Sequence, residues 1–160
     1  MLSIFPKLYS DWITAELKLN LENILDKKTG EIQIKRCQDA LKRIEEGIQN
    51  ISTDSTAGKA FQFMNKVMSI QRLCSENVEK NIEINEFYPP ILENASGEWR
   101  LFQLGFILMN IKSFLSEKNT AKQLDDNDVD EDSIRKSRET ADLLWFPTGG
   151  GKTEAYLGII

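Results

Sequence analysis

The chain has 160 residues, 41% of them hydrophobic, a net charge of −5 and no histidine. That is the length of one ordinary domain, and the lack of histidine excludes imidazole acid–base chemistry and histidine metal sites from it. No apolar run reaches the roughly 18 to 20 residues of a membrane span, and the start, Met1 to Lys7, lacks the basic region and apolar core of a signal peptide, so a cytoplasmic protein without membrane contact is expected.

The whole of 1–95 reads as a helical N-terminal region. Pro6 marks an irregular lead-in, after which Ser10 or Asp11 caps a first helix. Ile13, Leu17, Leu21 and Ile24 recur along it at helical spacing. Thr29-Gly30 reads as its stop. The next helix is the most regular: Ile34, Cys37, Leu41, Ile44, Ile48 and Ile51 alternate steps of three and four. Such a narrow seam suits one neighbouring helix, and it is too short for a convincing coiled coil. Ser52 to Thr56 is a turn with several capping residues. A third helix follows, with Ala57, Ala60, Phe61, Met64, Val67, Met68 and Cys74 on a broad face. Cys37 and Cys74 lie far apart, form no metal motif and read as small buried hydrophobes.

Residues 75–95 turn polar, with Pro89-Pro90 and Asn94 to Gly97 as loop signals. Residues 96–118 hold a helix that is apolar almost all round, from Trp99 to about Leu115, and hence buried. Two amides interrupt it, Gln103 and Asn110, seven positions apart and so on nearly one face. Buried amides need partners. Residues 119–139 read as a solvated acidic insertion. Asp125, Asp126, Asp128, Asp130, Glu131 and Asp132 put six negative charges into eight positions, and like charges so dense resist packing. Setting them aside leaves the remainder nearly neutral, so no basic nucleic-acid surface is visible. A calcium loop is rejected there, because Glu131 stands where glycine is needed and Ser137 where a bidentate glutamate is needed.

Residues 140–160 carry the chemistry. Leu143, Leu144, Trp145 and Phe146 read as a buried parallel strand. The run ends at Pro147 and continues as Thr148-Gly149-Gly150-Gly151-Lys152-Thr153-Glu154 into a helix-compatible segment. Glycines allow consecutive backbone N–H groups to curl around an anion, and a helix start adds to that attraction. Thr148 to Thr153 would cradle the phosphates of a nucleotide. Lys152 would reach the β- and γ-phosphates as the catalytic cation, and the Thr153 hydroxyl would hold Mg²⁺. The general pattern places its first glycine where this chain has Phe146.

The string Pro147 to Glu154 resembles motif I of superfamily 2 helicases, in which that first glycine is often replaced. The longer string Leu144 to Gly158, with Trp99-Arg100-Leu101-Phe102-Gln103-Leu104-Gly105-Phe106-Ile107-Leu108 upstream, resembles the DrmA-type helicases of the DISARM anti-phage systems. The resemblance implies ATP and Mg²⁺ as cofactors, DNA and defence-system proteins as partners, and an adenine-reading role for Gln103. The 49 positions between Gln103 and Lys152 exceed the usual spacing, which the acidic insertion would absorb by looping out. The fold expectation is therefore mostly α over 1–118, followed by the first β–P-loop–α unit of an incomplete RecA-like α/β domain. The chain reads as an N-terminal piece of a much larger ATP-dependent DNA helicase or translocase, inactive as a hydrolase by itself. Two other readings stand beside it: a different P-loop NTPase or kinase, and a non-catalytic helical interaction module.

Overall fold

The computed structural model describes residues 2–17, 27–79, 97–115, 131–145 and 149–160. Helix α1 spans Ile4–Trp12 and passes directly into a π-helical turn, Ile13–Leu17. Pro6 falls in the first turn, where its missing N–H costs nothing. The chain therefore becomes helical earlier than Ser10 or Asp11 would place it. Tyr9 and Trp12 stack at 5.8 Å between ring centroids. Burial, with a hydrogen bond to Cys37, pushes the Tyr9 phenol up to about 12.

Helix α2 covers Lys27–Thr53. Thr29 and Gly30 lie inside its first turns and do not end a helix, and Gly30 is buried. The helix stops where Asp54 takes over. The Asp54 carboxylate accepts from the backbone N–H of Thr56 at 2.7 Å and of Ala57 at 3.0 Å. That is an N-cap for helix α3, Ser55–Glu79. Helix α4 covers Leu101–Asn110 and tightens into a 3₁₀ turn at Ile111–Phe114. The core sits where α2 and α4 cross, with Ile44, Phe106, Ile107 and Leu108 buried there. The crossing is close because Gly47 has no side chain. A Cβ at that position would stand 2.1 Å from the Leu108 carbonyl oxygen.

Helix α5, Glu131–Glu139, follows the part of the acidic run that lies outside the described residues. Glu131 and Asp132, read as part of a solvated insertion, form its first turn. Asp132 pairs with Arg135 and Lys136, and those cations hold its carboxyl below the usual range. Ile134 is buried, so α5 packs as an element of the body. Its Arg138 donates to the Ser113 and Leu115 carbonyls at the exposed end of the 3₁₀ turn.

The fold expectation for the last twenty residues is overturned. Every regular element among the described residues is a helix, and none of them is a strand. Among the described residues there is no β–P-loop–α unit and no start of a RecA-like α/β sheet. Ala141 to Trp145 has no regular secondary structure. Leu143 and Trp145 are 89% and 80% exposed, against the expectation of burial on both faces. A strand exists only as part of a hydrogen-bonded ladder, and among the described residues no neighbouring segment offers one. Phe146 lies outside the described residues. Helix α6, Lys152–Leu157, closes the chain with its Ala155 buried against α4.

Candidate functional site

The glycine loop and α4 meet through two side chains at the N-terminal end of α4. Gln103 is 6% exposed, the one buried polar side chain among the described residues. Its Oε1 accepts from the Arg100 backbone N–H at 2.9 Å, which closes the first turn of α4. Its Nε2 donates to the Gly151 carbonyl at 2.7 Å. Arg100 reaches the same loop, donating from its guanidinium to the Gly150 carbonyl at 2.9 Å. The amide that sequence reasoning singled out and the glycines 48 positions later are therefore in direct contact.

These two contacts set the direction of the loop's backbone. A trans peptide group carries its N–H on the side opposite its C=O. With the Gly150 and Gly151 carbonyls turned toward Arg100 and Gln103, the N–H groups of Gly151 and Lys152 point away from α4. Two consecutive amides facing outward suit an anion. Gly149 and Gly151 take φ of +79° and +84°, a region that side chains with a Cβ disfavour. At Gly151 space matters as well, since a Cβ there would lie 2.6 Å from Gln103 Nε2.

The sequence-predicted residues thus divide. Gln103, Gly150 and Gly151 are brought together by direct hydrogen bonds, and Gly149 lines the same cavity. Lys152 opens α6 and is half-buried, while the Thr153 side chain is exposed beside it. Thr148 lies outside the described residues. A cavity of about 360 Å³ adjoins the loop, lined by Ser69, Arg72, Trp99, Arg100, Gln103 and Gly149 among others. The Trp99 indole N–H donates to Asn65 Oδ1 at 2.7 Å, which ties this wall to α3. Gln103 uses one of its two donors and one of its two acceptor positions on the protein. Among the described residues no partner takes the other donor or the other acceptor position. No group of three metal-ligating side chains gathers among the described residues.

Sequence reasoning did not find Arg100 as a loop contact or the ion pair that anchors the approach to the loop. Arg43 on α2 grips Asp142 with both prongs, at 2.6 and 2.7 Å. Its Nη2 also donates to the Met109 carbonyl at 3.2 Å. Asn110, the second amide of the apolar helix, donates to the Phe106 carbonyl at 2.8 Å and lies 3.4 Å from Asp142 Oδ2. The signal for Asn110 was its placement on the face of Gln103. Nothing in the sequence linked Arg43 to Asp142, 99 positions away.

No family model matches the chain, and no solved structure matches it. In an alignment of 157 positions that covers 94% of its length, the chain is 38% identical to the DISARM protein DrmA of Bacillus paralicheniformis. The matched stretch is 12% of that relative, so the chain spans a small part of the relative's length. The resemblance to DrmA drawn from Trp99–Leu108 and Leu144–Gly158 thus extends across nearly the whole chain.

Proposed function

We propose that the chain is part of an ATP-dependent superfamily 2 DNA helicase or translocase in a bacterial anti-phage defence system. Its glycine loop would contribute to the nucleotide site. The observation that carries this reading is the bond from Gln103 Nε2 to the Gly151 carbonyl at 2.7 Å. It joins the two stretches that were expected to share a nucleotide. The similarity to the DISARM protein DrmA supports the defence setting. DNA and other defence proteins are the proposed partners, and the cytoplasm is the proposed compartment. No helix among the described residues is long and apolar enough to cross a membrane.

Thr148 to Thr153 would take the phosphates, using the outward N–H groups of Gly151 and Lys152. The Lys152 ammonium would neutralise charge on the transferring phosphoryl group. Mg²⁺ wants six oxygen ligands and keeps several waters and phosphate oxygens among them. This chain would supply one, the exposed Thr153 hydroxyl. When bound, the ion would neutralise charge on the phosphates. Gln103 would read adenine with its remaining donor and acceptor, since N6 and N7 present the complementary pair and guanine does not.

The test uses the full-length protein that carries this sequence. DNA-stimulated hydrolysis of ATP is expected, and Lys152→Ala should abolish it with every nucleotide. Gln103→Ala should weaken ATP use and cost about 1–3 kcal/mol of discrimination against GTP. Retention of full turnover in Lys152→Ala would defeat the phosphate-loop reading. A preserved preference for ATP in Gln103→Ala, with only a lowered melting temperature, would make Gln103 a structural amide.

A further inference from the structure

Helix α3 makes one wall of the cavity beside the glycine loop. Asn65, Ser69 and Arg72 follow one another on it in steps of four and three, so they share a face. All three line the cavity, as do Gln103, Gly149 and Gly151. The wall is held in place at two points. The Trp99 indole N–H donates to Asn65 Oδ1 at 2.7 Å, and Asn65 Nδ2 donates in turn to the Phe61 carbonyl at 2.7 Å. Trp99 stands four positions before Gln103, so this bond joins α3 to the start of α4. Gly97 lies against the same face of α3. A Cβ built on it would meet Arg72 Cδ at 3.7 Å and Ser69 Oγ at 3.8 Å. Those are ordinary contact distances, so the chain leading into α4 packs directly on both side chains.

The lining suits the uncharged half of a nucleotide. Its charged side chains are Arg72, Arg100, Glu98 and Glu154, two of each sign. Such a balance offers no excess positive charge for phosphates, which the loop amides attract instead. The volume of about 360 Å³ falls within the range of small-molecule sites, about 300–1,000 Å³. A base with its ribose is a ligand of that scale. Ser69 Oγ donates its proton to the Asn65 carbonyl at 2.9 Å. A hydroxyl has one donor and two acceptor positions, so toward the cavity Ser69 is an acceptor, matched to a ribose hydroxyl or a base amino group. Arg72 stands at the exposed rim. Its planar guanidinium packs by its face on a flat ring and donates by its edge to oxygen.

We propose that Ser69 and Arg72 of α3 are specificity-determining residues of the nucleotide site, contacting the base and ribose while the glycine loop takes the phosphates. The proposal rests on the phosphate-loop reading. It makes α3 a working wall of the site, although the helix lies outside both stretches expected to share the nucleotide. Gln103 cannot supply these contacts, because it approaches from α4 and is bonded to the loop. The α3 contacts act on the nucleoside and on none of the phosphates. Their loss is therefore felt only by a ligand that carries a nucleoside.

The test again uses the full-length protein, titrated by calorimetry with two ligands in the presence of Mg²⁺. One is the non-hydrolysable β,γ-imido analogue of ATP, and the other is inorganic tripolyphosphate, which has no nucleoside. Both should bind the parent protein, the analogue more tightly. Ser69→Leu removes the acceptor and puts an apolar side chain into the cavity. It should weaken the analogue about 10-fold and leave tripolyphosphate unchanged. Arg72→Ala should weaken the analogue by about 3- to 10-fold, again without effect on tripolyphosphate. If Ser69→Leu does not fold, Arg72→Ala, a change at an exposed position, is read in the same two titrations. Parental affinity for the analogue in the folded variants would overturn the α3 wall. So would an equal loss of both ligands, which marks damage to the loop or to the fold. A parent protein that binds neither ligand would sink the phosphate-loop reading, and this proposal with it.

Discussion

At the scale of single residues, two glycines two peptide bonds from one another do different work. Gly149 and Gly151 both have positive φ, which costs an L-residue about 1–2 kcal/mol. Nothing lies within 4 Å of a Cβ built at Gly149, whereas one at Gly151 would press on Gln103 Nε2 at 2.6 Å. Gly149→Ala should therefore cost roughly the backbone strain alone. Gly151→Ala should cost that and the Gln103 hydrogen bond, about a further 1 kcal/mol. Denaturant melts of both variants, and of each combined with Gln103→Ala, check this. In the Gln103→Ala background the difference between the two glycine variants should shrink. An equal cost in the parent protein would mean that Gln103 moves aside freely. The glycines were legible in the sequence as a turn. Which of them touches the buried amide was not, because that depends on where α4 is placed.

At the scale of elements, the body is built on the crossing of α2 and α4. Alanine is the better helix former by about 1 kcal/mol, so propensity alone favours Gly47→Ala. The tertiary contact opposes it, with Leu108 O 2.1 Å from the added Cβ. That oxygen belongs to a backbone inside a helix, so relief requires the two helices to part. Gly47→Ala should be destabilising by about 1–3 kcal/mol or more, the usual range for overpacking. Urea unfolding followed by far-ultraviolet circular dichroism measures it, and a stabilised variant would show that the crossing is looser than described. The seam of Ile34, Ile44 and their neighbours was readable from spacing, since a period of three and four fixes a face. The reading of Thr29-Gly30 as a stop failed for a related reason. Glycine after a polar residue signals a C-cap locally, yet here the small residue is buried inside α2. Local turn chemistry and close helix packing both select glycine, and only the neighbour distinguishes them.

At the scale of the whole molecule, the described residues form a helical body with the glycine loop laid against one end of α4. Composition and periodicity determined a good deal here. Helical spacing marked the amphipathic faces, the glycine run marked a turn, and Gln103 stood out as an amide in an apolar helix. Each is a property of neighbours within a few positions, so the sequence carries it. The strand expected at Leu143 to Phe146 is the instructive failure. An apolar run states that side chains avoid water, but a strand requires hydrogen bonds from another segment, and none is present among the described residues. The contacts of Gln103 with Gly151 and of Arg43 with Asp142 span 48 and 99 positions. Such pairings follow from how the helices cross and where the chain returns, and only the tertiary structure decides them.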